Sequence, residues 1–570
     1  MSQRKHKTEH WGSQIGVILA VAGSAVGLGN FLRFPGQVVQ NGGGAFMIPY
    51  LVALVIIAIP LSMSEWALGR YAGQRGFHSQ MGVFYQASGH KRVWGLAGGL
   101  MTLIPFVINM YYVFIEAWCL LYALQYLGGA LEPIGIGFSF FDRMDPGLHL
   151  EQASEYSQFF DKMVGKSQNG ALFNITQSPL LITTIICVLG NLALVCRGVS
   201  RGIELVCKVA APLILICSIL VVLRVVTLGN PTGLPGQSFL DGLGFMWNPT
   251  HDVFNEAGEV VGHVSFLDSL LNPNVWLAAT AQIFFTISLC WCCITTYASY
   301  VRKNDDVVLS SLSATATNEF CEVVLGGLMT IPPAIMFLGA AGAQEGFDSS
   351  FALGFSVLAN VFGHMPFGQF FGFAFYTLLL MAAITTSVSL IQPAVALAQE
   401  AFHWNKRPSV FFVGAINLLG TLFVCWFSRD MVALNVFDFW ISCFGTLIFA
   451  IIQTFLVSFI WNRASFTKEL ATGAKIKAPR WLPFVVKFVS FPFLIVVVSV
   501  WCCTNLGREA KLICEDKVAF AALVFFSLLG VGLLVLSWIV TSRWKKEETL
   551  KSQNNQPVNI ADAGSAEPRS

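Results

Sequence analysis

Twelve stretches of this chain are each close to twenty residues long or longer and nearly free of charge, which is the length a helix needs to cross a bilayer. They cover residues 13–36, 42–69, 93–126, 179–196, 202–227, 275–300, 308–339, 367–401, 409–428, 433–461, 481–503 and 518–542. Hydrocarbon offers no partner to a backbone amide or carbonyl, so such runs must satisfy their own backbone as helices. Only 12% of the 570 residues are charged and 55% are hydrophobic, whereas soluble domains carry roughly 25% charged residues. A core cannot absorb that excess, and most of it must face lipid. The expectation is an all-α integral membrane protein with twelve transmembrane helices.

Orientation follows from Lys and Arg. With both termini in the cytoplasm, the inner segments hold Arg4, Lys5, Lys7, Arg70, Arg75, Lys91, Arg92, Arg197, Arg201, Arg302, Lys303, Lys406, Arg407 and the basic loop from Arg463 to Lys487. The outer segments hold few, among them Arg143, Lys162, Lys166 and Arg429. The expected organisation is a cytoplasmic segment 1–12, a first five-helix repeat 13–227, an extracellular loop 228–274, a second five-helix repeat 275–461, helices eleven and twelve within 481–542, and a cytoplasmic tail 543–570. The tail is polar and reads as disordered from Trp544 onward. Five spans per unit is an odd number, so the second copy must be inverted relative to the first. The basic N-terminus has no small-residue cleavage pattern after it and is read as mature protein. Asn174-Ile175-Thr176 is a glycosylation sequon on an outer loop, which has no meaning in a bacterium. The fourteen cysteines lack zinc-ligand spacing and read as small hydrophobes. A net charge of +2 gives no nucleic-acid footprint.

The first run is interrupted. Residues 21–35, VAGSAVGLGNFLRFP, hold Gly23, Gly27 and Gly29 together with Ser24, Asn30 and Arg33. Glycine costs about 1 kcal/mol relative to alanine in a helix interior, so this segment favours an unwound turn. Unwinding frees carbonyls that suit a cation and amides that suit an anion. The other reading is small-residue helix packing, which the Gly23–Gly27 spacing also fits. Packing alone does not call for an intramembrane Asn30 and Arg33.

GSAVGLGNFLRFP, with NGGGAFMIPY (41–50), EWALGRY (65–71), YYVFIEAW (111–118), QIFFTISL (282–289), TYASYVRK (296–303) and Asn318-Glu319, resembles the neurotransmitter:sodium symporter family. The similarity runs from about residue 10 to residue 440 and is greatest to bacterial amino-acid transporters of leucine-transporter type. The resemblance implies an inverted five-plus-five helix repeat with broken helices 1 and 6. It further implies sodium-coupled symport of an amino acid by alternating access, spans one, two, six and seven rocking against three, four, eight and nine.

Carried over by motif, the resemblance implies two sodium sites. The first uses the Ala25 carbonyl with Asn30, Thr286 and Asn318, completed by the substrate carboxylate. The second uses carbonyls of Gly23, Val26 and Ala382 with hydroxyls of Thr385 and Thr386. Because the carboxylate is itself an ion ligand, ion and amino acid stabilise each other reciprocally. The substrate would contact Ala25, Gly29, Tyr112 and Thr286, with Ile108, Phe285, Ser288, Trp291, Thr386 and Leu390 discriminating its side chain. That lining favours a neutral hydrophobic or aromatic cargo. Without the resemblance, Phe285, Trp291 and Leu390 would read as ordinary core. Gly27 stands where the family's monoamine carriers have an aspartate, which favours an α-amino acid. Glu322 stands where chloride-dependent members have a serine. It is expected to supply the negative charge itself, making transport chloride-independent and returning a proton when the site empties.

Arg33 and Asp438 are the expected outer gate, with Phe285 and Tyr112 as a lid; Trp11, Tyr300 and Glu400 are the expected inner gate. Two departures stand out. Thr8 replaces an expected arginine, leaving Lys7, Lys5 or Arg4 to serve. Residues 288–293 read SLCWCC, with Cys290 and Cys292 where glycines are usual, so the pocket should be narrower, and Trp291 should disfavour the largest ligands or reorient them. Glu65, Glu116 and Glu319 are expected to support the site. The alternatives are a channel or a transport-inactive amino-acid sensor on the same helices. An enzyme would need a catalytic constellation, and no HExxH or GxSxG occurs in a suitable context. The expected partners are an amino-acid substrate, sodium and the lipid bilayer, with no nucleic acid and an oligomeric state the sequence leaves open. The expected location is a cell membrane, a bacterial inner membrane above all, with multiple passes.

Overall fold

Hydrophobic run and helix coincide along most of the chain. The computed structural model describes residues 11, 14–140, 147–174, 179–198, 202–254, 260–345 and 353–554. Among them, nine helices are long and apolar enough to cross a membrane: Gly44–Gly73, Arg92–Ile134, Glu204–Val226, Val307–Gly339, Gly368–Phe402, Lys406–Trp426, Arg429–Ile460, Leu482–Glu515 and Lys517–Leu550. The pair Ile18–Ala25 and Gly29–Gln40, bent by 41°, makes a tenth if counted as one span. Length and composition alone therefore give ten where twelve were expected. The other two expected positions hold the shorter apolar helix Leu180–Cys196 and the interrupted pair Pro273–Thr286 and Cys293–Ser299.

Burial sorts the helices into centre and rim. In its most apolar window, 94% of the helix Arg92–Ile134 is buried, against 22% for Lys517–Leu550. The first is wrapped by protein, and the second presents its apolar side chains outward, as a lipid-facing helix must. Helix Gly368–Phe402 packs along the central one, and Tyr122 and Tyr126 reach from it to carbonyls of Phe355 and Ala359.

One end of the bundle is tied together by polar contacts. Arg70, at the end of Gly44–Gly73, bonds Glu469 at 2.9 Å and the carbonyls of Asp305 at 2.6 Å and Thr472 at 3.1 Å. Asp306 caps the next helix through the amides of Val308 and Leu309, and its second oxygen accepts from the Lys475 amide at 2.6 Å. A cap of this kind satisfies amides that the first turn leaves free.

One expectation changes. The polar tail does not begin as coil, because the last helix continues to Asn554. Trp544 packs on Phe77 and Tyr85, and Glu548 accepts from the Tyr85 hydroxyl at 3.2 Å, so this turn has side-chain contacts to hold it. The 228–274 loop carries structure of its own, a helix Phe239–Trp247 and a hairpin of His251–Phe254 with Val260–Val264. Ser238 and Asp241 form a capping box at that helix's start, and those hydrogen bonds hold the Asp241 carboxyl below its usual range. Residues 1–10, Arg143, Ile175 and Thr176 of the sequon, Arg201 and the tail from 555 lie outside the described residues.

Candidate functional site

The first broken span ends its first half at Ala25 and resumes at Gly29 with a wide π-helical turn, Gly29–Arg33. Side chains take up the amides released between them. The Gly27 amide donates to Asn30 Oδ1 at 2.8 Å, and the Leu28 amide donates to the Tyr112 hydroxyl at 3.0 Å. Gly27 is a close approach: a Cβ there would stand 2.6 Å from Thr386 Oγ1 and 2.8 Å from Tyr112 Oη.

The second break spans residues 287–292 and alternates in hand. Ser288, Cys290 and Cys292 have φ of 55°, 58° and 62°. Left-handed backbone at a residue with a Cβ costs roughly 1–2 kcal/mol, so something must hold it. Glu65 accepts from the Cys290 amide at 2.8 Å and from Gln453 Nε2 at 2.6 Å. Ser288 Oγ donates to the Ser24 carbonyl at 3.3 Å, joining the two breaks, and Trp291 Nε1 donates to Thr446 Oγ1 at 3.1 Å.

Between the breaks, oxygen atoms gather. Asn30 Nδ2 lies 2.8 Å from Asn318 Oδ1 and 3.2 Å from Thr286 Oγ1. That same Asn318 atom faces the carbonyl oxygens of Ala25 at 3.1 Å and Thr286 at 3.2 Å. With its amide nitrogen on this side, Asn318 donates to both carbonyls, and its side chain thus ties the two breaks together. The Glu322 carboxylate touches the Thr286 hydroxyl and accepts from Gln282 Nε2 at 2.8 Å. A second group lies nearby. Thr385 Oγ1 donates to the Ala382 carbonyl at 2.9 Å, and Thr386 Oγ1 donates to the Ser24 carbonyl at 3.2 Å. Gly23 packs against the same threonine, with a Cβ there 3.7 Å from Thr385 Cβ. Val26 directs its amide back to Ala22. These donors are hard oxygens and, Glu322 apart, neutral, a set that fits a small hard cation.

Beside them, Phe285 and Trp291 meet edge to face at 5.0 Å, and a Cβ on Gly29 would come within 2.8 Å of the Phe285 ring. Ile108 and Leu390 are fully buried, each one helical turn from Tyr112 and Thr386. Ser24 Oγ is buried with no hydrogen-bond partner among the described residues.

Arg33 stands 3.6 Å from Asp438, but its closer contacts are Gln282 Oε1 at 2.9 Å and Cys443 Sγ at 2.8 Å, with Phe285 4.4 Å below the guanidinium. Asp438 accepts from Tyr111 Oη at 2.8 Å. The expected pair is one edge of a wider cluster. On the opposite side, Trp11 Nε1 donates to the Tyr297 carbonyl at 3.0 Å. His78 lies between the other two expected gate residues. Its ring stacks on Tyr300 at 4.5 Å, and its amide, like that of Ser79, donates to Glu400. Thr8, Lys7, Lys5 and Arg4 lie outside the described residues. Glu116 accepts from Asn191 at 2.9 Å, and Glu319 from Tyr50 at 2.8 Å. Leu28, Gln282, Tyr111, His78 and Cys443 were not expected here. A glutamine opening the apolar run QIFFTISL was a usable signal for Gln282; a backbone amide such as that of Leu28 leaves none.

The profile of the "Sodium:neurotransmitter symporter family" matches residues 8–542. An uncharacterized sodium-dependent transporter of Methanocaldococcus jannaschii is 26% identical, covering 86% of this chain and 89% of its own length. The human sodium- and chloride-dependent GABA transporter 2 is 24% identical, covering 80% and 74%. The crystal structure of MhsT in complex with L-phenylalanine superposes with a TM-score of 0.69 at 25% identity, covering 86% of this chain and 98% of that one.

Proposed function

This chain belongs to the sodium:neurotransmitter symporter family, and from that premise we propose that it carries a neutral α-amino acid, hydrophobic or aromatic, into the cell. Membership makes it a sodium-coupled transporter and not an enzyme. The observation that supports an α-amino acid most directly is the crowding at Gly27. A side chain at position 27 would press on Thr386 Oγ1 and Tyr112 Oη, so Gly27 brings no carboxylate of its own there and leaves that place to the substrate's. The edge-to-face Phe285–Trp291 pair offers such a cargo an apolar wall. L-phenylalanine bound to MhsT, a protein of similar fold, supports the same class.

Two sodium sites are proposed. Ala25, Asn30, Thr286 and Asn318 hold the first; Gly23, Val26, Ala382, Thr385 and Thr386 hold the second. The substrate is bound by Ala25, Gly29, Ile108, Tyr112, Phe285, Thr286, Ser288, Trp291, Thr386 and Leu390, with the Leu28 amide added. Binding of the carboxylate at the first ion completes that ion's shell, so each ligand raises the affinity for the other. Glu322 sits against the same cluster and supplies there the charge that an anion would otherwise bring, which makes transport chloride-independent and returns a proton on the empty carrier. Arg33 with Asp438 closes the outer side, and Trp11 with the Tyr300–His78–Glu400 contacts closes the inner side. Both termini face the cytoplasm, and the five-helix units are 13–227 and 275–461.

Uptake into proteoliposomes tests this reading, using labelled phenylalanine, leucine, tryptophan, alanine and GABA, with and without an inward sodium gradient. Accumulation of an apolar amino acid that needs sodium and persists when gluconate replaces chloride is expected. Uptake indifferent to sodium, or a preference for GABA, would overturn it.

A further inference from the structure

Away from the transport site, a cavity of about 400 Å³ opens between the ends of helices Arg429–Ile460 and Leu482–Glu515. It lies at the basic end of the bundle, beside the loop that Arg70 ties down through Glu469. Each wall contains a π-helical turn, Leu456–Ile460 on one side and Val486–Ser490 on the other, an irregularity found often at functional positions.

Three observations describe what would fill it. First, the cavity is lined by two cations, Arg463 and Lys487. Lys487 Nζ rests 4.6 Å from the Phe459 ring centroid and 5.4 Å from that of Phe488. From residue 461 to 490 the chain has six Lys and Arg, and Glu469, the lone acid, is bonded to Arg70. Second, Trp461 and Ser458 line the same cavity, and neither Trp461 Nε1 nor Ser458 Oγ has a hydrogen-bond partner among the described residues. Trp461 is only 4% exposed, and its indole nitrogen can only donate. Third, the rim is apolar and open, with Phe484 and Phe488 more than half exposed.

We propose that this cavity binds the phosphate headgroup of an anionic phospholipid from the leaflet at the basic end of the bundle. Arg463 and Lys487 supply the charge, Trp461 and Ser458 the hydrogen bonds, and Phe484 and Phe488 lie along the acyl chains. Basic pockets between spanning helices at this membrane level suit such headgroups. The site is separate from the substrate path, but Trp461 packs on Tyr71 at 5.2 Å. Tyr71 neighbours Arg70 on the span that supports the second break, so occupancy reaches an element of the transport machinery. Because the binding measured here is that of lipid, the outcome does not depend on the identity of the transported substrate.

Native mass spectrometry of the full chain in detergent tests the proposal, with phosphatidylglycerol or phosphatidylcholine added at equal concentration. Phosphatidylglycerol should be retained preferentially. Lys487→Gln and Arg463→Gln should each weaken its retention about five-fold, and Trp461→Phe should weaken it while leaving the aromatic packing. Lys468→Gln removes the same charge from an exposed position that does not line the cavity and should leave retention unchanged. Equal retention of the two lipids, or equal loss from Lys468→Gln and Lys487→Gln, would overturn the proposal. Displacement of the lipid by millimolar inorganic phosphate would assign the cavity to a soluble anion and overturn it as well.

Discussion

Asn30 uses both ends of its amide. Its oxygen accepts from the Gly27 amide, and its nitrogen faces Asn318 and Thr286. A carbonyl oxygen has a second lone pair, so the contact that shapes the break leaves that lone pair free for the proposed sodium ion. Asn30→Ala removes both. A hydrogen bond involving a charged group is worth about 1.5–3 kcal/mol, so the sodium concentration for half-maximal uptake should rise at least about ten-fold. An unchanged requirement, read by uptake against sodium, removes Asn30 from the site. Glu322 makes the complementary case. Replaced by serine, it leaves the Thr286, Asn30 and Asn318 cluster without a negative charge, and an external anion becomes the remaining source. Uptake by Glu322→Ser in gluconate should collapse and return when chloride is restored; uptake equal in both media would refute the chloride reading. Residues of this kind were legible, since a polar side chain in an apolar run has to be explained. Tyr111 and Cys443 were not, because a tyrosine and a cysteine in such runs are ordinary core.

At the scale of elements, the two breaks differ in how they announce themselves. The first is written in glycines. The second lacks them, and SLCWCC would pass for a buried helix; its three left-handed residues are imposed by tertiary contacts. Glu65 is the clearest of these, since without it the Cys290 amide would be a buried donor with no acceptor. Glu65→Leu should therefore destabilise the protein by about 1–3 kcal/mol, the cost of one orphaned buried group, and abolish uptake. Glu65→Gln keeps an accepting oxygen and should retain most of the stability in thermal unfolding with detergent-solubilised protein. Equal loss in both variants would show that the charge, and not the hydrogen bond, is what counts. The helical start of the tail had no apolar run to signal it, because Trp544 holds it through Phe77 and Tyr85, residues remote in sequence.

For the whole molecule, apolar length and the burial gradient follow directly from composition, whereas the clustering of gate residues depends on how separate spans meet. In this conformation both sides of the site are covered: Phe285 is buried beneath Arg33, and Trp11 is bonded to the Tyr297 carbonyl. The proposed alternating access requires that the outer cover open without substrate and close with it. Cys443 is a native reporter of that movement, because its thiol is held 2.8 Å from Arg33 and is only partly shielded. If Arg33 is the proposed outer gate, its swinging away uncovers the thiol, and binding of substrate with sodium returns the guanidinium to it. The minor state of a two-conformation protein is typically populated at up to about 10%, so closing the open state should slow alkylation of Cys443 about ten-fold or more. Residue-resolved mass spectrometry after a short maleimide pulse separates Cys443 from the exposed Cys503 and Cys514, whose rates should not move. Protection must require sodium and amino acid together, since each completes the other's site. Protection by amino acid alone would mean that the ion is not part of the closing step, and the coupled mechanism would fail.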